Sequence, residues 1–112
     1  MGHVLGQQER AADPKALMIL VWSPEAINDL AALRAYIEQD DQAAAQRVVL
    51  RIIETVETLL RDNPEMGSPG RVPGTRELVI PRTPFIVPYR LVGNSLQILR
   101  IYHRTRRWPD AF

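Results

Sequence analysis

The sequence predicts an α+β domain in two layers, with a helical hairpin packed on a mostly antiparallel sheet in the order βααβββ. Three observations carry this. A strand-length apolar run precedes two long amphipathic stretches, a Pro- and Gly-rich break follows them, and two further apolar runs are joined by Gly93-Asn94-Ser95.

Residues 1–17 show no sustained periodicity and contain Gly2, Gly6, Asp13 and Pro14, so they read as a flexible leader ahead of one domain at 18–112. Met18 to Trp22 is the first strand. Ser23-Pro24-Glu25 then starts a helix: a hydroxyl at the N-cap, a proline where its missing N–H costs nothing, and an acid at the positive end of the dipole. Ile27, Leu30, Leu33 and Ile37 recur at helical spacing to about Gln39. Asp40 and Asp41 cap a second helix, whose Ala45, Val48, Val49, Ile52, Ile53, Val56, Leu59 and Leu60 keep that spacing until Asn63-Pro64 stops it.

Three prolines and three glycines between Pro64 and Gly74 mark a loop. Glu77 to Ile80 is a short strand, and Phe85 to Val92 with Leu96 to His103 forms a hairpin. Pro88 cannot donate to a ladder, so the pairing there should be bulged or irregular. Trp22 and Tyr36 read as core, and Glu25, Asp29, Glu38, Glu54 and Glu57 as solvated helix faces.

Composition narrows the chemistry. The 112 residues contain no cysteine and only His3 and His103, which excludes disulfides and thiolate or histidine metal cages. No apolar run reaches membrane-spanning length, so the expected location is cytoplasmic, with no membrane partner and no cofactor. Six basic residues face eleven acidic ones up to residue 70, whereas eight arginines face only Glu77 and Asp110 thereafter. That division implies an acidic helical face and a basic strand face with different partners.

The basic residues concentrate where the last strand ends. Arg90, His103, Arg104, Arg106, Arg107 and Trp108 form the candidate surface for a target or partner, since guanidinium forks bind carboxylate or phosphate and an aromatic ring offers a stacking face.

The order of elements and several short motifs resemble the RelE/ParE superfamily of toxins from type II toxin-antitoxin systems. The matching pieces are Trp22-Ser-Pro-Glu-Ala26, Asn63-Pro-Glu-Met-Gly67, Arg76-Glu77-Leu78, Pro84-Phe85 into Pro88-Tyr89-Arg90, and Ile98 to His103 leading to Arg106-Arg107-Trp108. The wording of Tyr89-Arg90 and Tyr102-His103-Arg104 is similar to the ParE branch. That resemblance implies a plasmid-stabilisation type toxin that inhibits DNA gyrase by binding, without a catalytic residue, and is neutralised by a ParD-like antitoxin.

The alternative within the superfamily is a RelE-like ribosome-dependent mRNA endoribonuclease. Such enzymes use basic and acidic groups on the open sheet face, and Lys15 is the last lysine here, so that site would be built from Arg76, Glu77, Arg82 and His103. A neutral His103 imidazole would then serve as general base toward a ribose 2′-hydroxyl.

Overall fold

The computed structural model describes residues 18–112; the expected leader lies outside the described residues. Strand β1 (Ile19–Trp22) leads through the Ser23 cap into helix α1 (Pro24–Glu38). Helix α2 (Gln42–Glu54) follows, with Asp41 accepting from the Ala44 N–H at 3.0 Å. Its last turns, Thr55–Leu60, widen into π-helix, beginning where the Thr55 hydroxyl donates to the Arg51 carbonyl at 2.6 Å and competes for the helical ladder. Strands β2 (Ser68–Pro69), β3 (Arg76–Val79), β4 (Phe85–Val92), β5 (Ser95–Ile98) and β6 (Tyr102–His103) complete the chain.

The sheet runs β1-β5-β4-β3-β2, with β6 also paired to β4. Only β1 on β5 is parallel. The two-layer α+β architecture is therefore as expected. Ala26, Leu33, Ile52, Val56 and Leu60 from the helices bury against Leu78, Val87, Tyr89, Leu96 and Ile98 of the sheet. Each large apolar side chain removed from water there contributes roughly 1.5–3 kcal/mol.

The expected second hairpin arm is broken in two. Tyr89 pairs with Ile98 and Ile86 with Tyr102, so Val87 and Pro88 oppose the three residues Leu99, Arg100 and Ile101. This is a β-bulge opposite Pro88, the residue without an N–H. Helix α1 collects the backbone groups that the bulge frees. The Ser23 hydroxyl donates to the Leu99 carbonyl at 2.7 Å while accepting from the Ala26 N–H at 2.9 Å. Asp29 accepts from the Ile101 N–H at 2.9 Å and grips the Arg100 guanidinium with both oxygens, at 2.7 and 3.0 Å.

Asp29 is thus not on the solvated face expected for it. It is a half-buried clamp, because the bulge brings an unpaired N–H and a cation beneath α1. Tyr36 is likewise not core: it is 73% exposed, since Leu33 and Ile37 take the inward face of α1. Trp22 packs on the core, and its indole N–H reaches out to Glu57 at 3.0 Å.

Tyr89 organises the loop after α2. Its hydroxyl donates to the Pro64 carbonyl at 2.7 Å and accepts from the Gly67 N–H at 3.0 Å. A Cβ on Gly67 would stand 2.7 Å from the Tyr89 ring and hydroxyl and 2.8 Å from the Glu77 carbonyl, so only glycine fits. Burial pushes the Tyr89 phenol above its ordinary value of 10.0, with the Gly67 N–H opposing the shift.

Two outcomes follow for stability. Asp29→Ala leaves the Arg100 guanidinium and the Ile101 N–H without their acceptor, and urea denaturation should show a loss of about 2–4 kcal/mol. Because the folded Tyr89 pKa lies above the unfolded one, its contribution is whole below pH 10 and is lost as pH rises through the folded value. Denaturation midpoints followed above pH 10 should therefore fall more steeply for the wild type than for Tyr89→Phe.

Candidate functional site

Strand alternation divides β4 between two environments. Val87, Tyr89 and Leu91 face the helices, while Ile86, Pro88, Arg90 and Val92 face away. Tyr102 is the partner of Ile86 and so lies on the face without helices, whereas His103 is the partner of Phe85 on the other side. His103 meets the Phe85 ring edge-on, with centroids 5.6 Å apart.

The chain then turns back. The Arg104 N–H donates to the Pro84 carbonyl at 2.8 Å and the Arg106 N–H to the His103 carbonyl at 2.9 Å. This brings Trp108 edge-on to Tyr102 at 5.0 Å and Phe112 nearly parallel to Tyr102 at 6.3 Å. Guanidinium groups join the rings: Arg100 and Arg106 lie 4.8 and 4.7 Å from the Tyr102 centroid, and Arg71 lies 3.9 Å from that of Trp108. Stacked arginines of this kind gain cation–π attraction, and of the three Arg106 alone keeps its fork out of an ion pair with a described residue. The Trp108 indole N–H is buried without a hydrogen-bond partner among the described residues.

A groove of about 620 Å³ runs beside this cluster, with Arg90, Arg106, Arg107 and Trp108 along it and Glu25 and Arg100 at the α1 end. Asp29 neutralises Arg100 and holds its guanidinium still more firmly protonated than usual, chiefly through their hydrogen bonds. Arg71 leans on Glu77 at 3.3 Å. Arg90, Arg106 and Arg107 form no ion pair with a described residue. Their forks can take carboxylates or phosphates without first breaking a bond inside the protein.

Of the binding candidates, the groove assembles Arg90, Arg106, Arg107 and Trp108. His103 points to the opposite side, and Arg104 lies exposed in the turn, so neither lines it. Arg71, Arg100, Tyr102 and Phe112 were missed by sequence reasoning. The parity of Tyr102 depends on the bulge, and nothing in a Pro- and Gly-rich loop points to Arg71.

The nuclease candidates do not converge. Arg76 donates to the Gly67 carbonyl at 2.7 Å and the Glu65 carbonyl at 3.2 Å, tying down the loop after α2. Glu77, its neighbour on β3, points to the other face and accepts from the Arg71 N–H. Arg82 sits at φ 61° in the turn between β3 and β4, beside α2. The His103 Nδ1 accepts from the Thr105 N–H at 3.3 Å. Alternation along β3 separates the first pair, and the turn carries Arg82 to the helical layer. No cluster of metal-ligating side chains occurs among the described residues, and none of their helices is long and apolar enough to cross a membrane.

Comparison with known proteins gives this geometry a family. A candidate toxin of Sinorhizobium fredii, Y4kP, is 43% identical over 90 residues, which cover 80% of this chain and 92% of that protein. Toxin RelE2 of Caulobacter vibrioides is 34% identical over 87 residues, covering 78% and 96% respectively. Among solved structures, a chain of the chromosomal ParDE toxin-antitoxin system from P. aeruginosa superposes with a TM-score of 0.70 at 37% identity, over 78% of this chain and 96% of that one. A chain of the RelBE2 toxin-antitoxin complex from Mycobacterium tuberculosis, at 23% identity and a TM-score of 0.60 over 78% and 98%, shares the fold. A family model described as the ParE toxin of the type II toxin-antitoxin system parDE matches residues 20–108. With that match spanning most of the chain and the relatives agreeing, the chain belongs to the ParE toxin family within the RelE/ParE superfamily of type II toxin-antitoxin toxins.

Proposed function

We propose that this toxin acts in the cytoplasm by binding DNA gyrase, and that a ParD-like antitoxin holds it inactive. The observation that carries this reading is the uncommitted trio Arg90, Arg106 and Arg107 beside Trp108 on the sheet face that the helices leave uncovered. Such a surface recognises acidic groups on a macromolecule and needs no bond to be made or broken. Similarity to the P. aeruginosa ParDE chain supports the ParD-like antitoxin.

The RelE-like alternative needs acid, base and cation around one ribose. Arg76 and Glu77 are instead tied to the loops on either side of β2, and Arg82 stands beside α2. This dispersal favours a binder over a nuclease.

Purified toxin titrated into a gyrase supercoiling reaction should abolish supercoiling. Unchanged supercoiling at saturating toxin, together with new mRNA ends at ribosomal A-site codons after induction, would replace this reading with the nuclease one. Arg106→Ala, Arg107→Ala and Trp108→Ala, combined, should weaken gyrase inhibition by about tenfold or more, in line with the loss of central Arg and Trp anchors. Helical content by circular dichroism should stay at the wild-type level, since these residues lie outside the helix-backed core.

A further inference from the structure

The groove beside the aromatic cluster holds more positive charge than the fold itself uses. Arg90, Arg106 and Arg107 line it without an ion pair to any described residue, and Glu25 is the one acid among the described lining residues. Asp110, in the same returning tail, pairs with none of them. Arg106 and Arg107 are consecutive in the chain, so like charge is concentrated in one cleft, where it repels itself until an anion arrives.

The cleft also has walls. The start of α1, with Ser23 and Glu25, bounds one side, and the returning tail, with Trp108 and Phe112, bounds the other. Its volume of about 620 Å³ lies within the roughly 300–1,000 Å³ of small-molecule sites. Phe112 lies nearly parallel to Tyr102 at 6.3 Å yet is 40% exposed, so it carries a bare aromatic surface at the edge of a cationic cleft. Charge and ring together suit a ligand that is polyanionic at one end and flat and apolar at the other.

We propose that this groove binds a nucleoside triphosphate, with its phosphates on Arg90, Arg106 and Arg107 and its base against Trp108 and Phe112. The site goes beyond the gyrase reading and does not rest on it. Guanidinium forks take phosphate oxygens in pairs, and a triphosphate supplies several anionic oxygens a few bonds apart, which matches three cations in one cleft. An acidic peptide spreads its carboxylates along an extended chain and leaves the aromatic wall without a flat partner. Magnesium reaches a phosphate chain chiefly through carboxylates, and the cleft has only Glu25, so the arginines neutralise the ligand themselves and binding needs no divalent cation.

The test is titration calorimetry of the full chain with ATP, in magnesium and in EDTA. Saturable binding that persists in EDTA is expected, and R90Q/R107Q should weaken it by about tenfold or more. These positions lie outside the helix-backed core, and R107Q alone, at an exposed position, should still weaken binding by about threefold if the double variant melts early. Phe112→Ala should weaken ATP binding while leaving that of inorganic triphosphate unchanged, which separates the ring from the charge. No binding of ATP by wild type, unchanged affinity in R90Q/R107Q, or inorganic triphosphate bound as tightly as ATP would each overturn the inference. Binding of a single-stranded oligonucleotide without binding of ATP would also overturn it and reassign the groove to nucleic acid. A toxin that stops gyrase supercoiling but binds no ATP would sink this proposal and leave the functional reading standing.

Discussion

The Asp29 carboxylate holds together the three parts of the molecule that matter most for its surface. It accepts from the Nε and Nη2 groups of Arg100 and from the N–H of Ile101, and so clamps α1 onto the bulge in the sheet. The bulge decides which side chains the last strand shows to which layer. Had the Tyr89–Ile98 register continued unbroken, Ile101 would oppose Ile86 on the face without helices, and Tyr102 would be turned toward the helices. One extra residue reverses both, so Ile101 enters the core and Tyr102 becomes the floor of the aromatic cluster. An unpaired N–H and a half-buried guanidinium would make that arrangement costly without an anionic acceptor. Asp29 provides one.

Charge is sorted in space rather than along the chain. The acidic first half and basic second half do not form separate faces, because Asp29 pairs with Arg100 and Glu65 approaches Arg76 across that division. These arginines, with Arg71 on Glu77, hold loops and strands in place. Six of the uncommitted ones line two grooves: Arg90, Arg106 and Arg107 beside the aromatic cluster, and Arg47, Arg51 and Arg82 on the helical layer. The second group draws Arg47 and Arg51 from the acidic half, which a running charge count hides.

Local chemistry made much of the fold legible. Ser23-Pro24 and Asp41 start the helices where capping rules put them, and Pro88 marks the point where the ladder fails. Long-range consequences were less legible. Tyr36 looks inward by sequence because α1 has apolar residues around much of its circumference, so periodicity alone does not choose among faces. Asp29 looked like any solvated acid, since its partners lie more than seventy positions away. For the site, a basic C-terminal cluster with Trp108 was visible in the sequence. The separation of His103 from Trp108 was not, because it depends on the β6 register and on the turn that follows.

The division of labour among polar groups supports the proposed reading of a binder over one of acid–base chemistry. A general acid or base must be free to exchange a proton, and its neighbours must tolerate the change of charge. Arg76, Glu77 and His103 are each engaged in bonds that fix a loop or a turn, so recruiting them would loosen the elements that position them. The guanidinium groups of the groove carry no such obligation. Stacking on Tyr102 fixes the direction of Arg106 before any partner arrives. Preorganised and unpaired, Arg106 loses little freedom on association, and that is the property a tight binder requires.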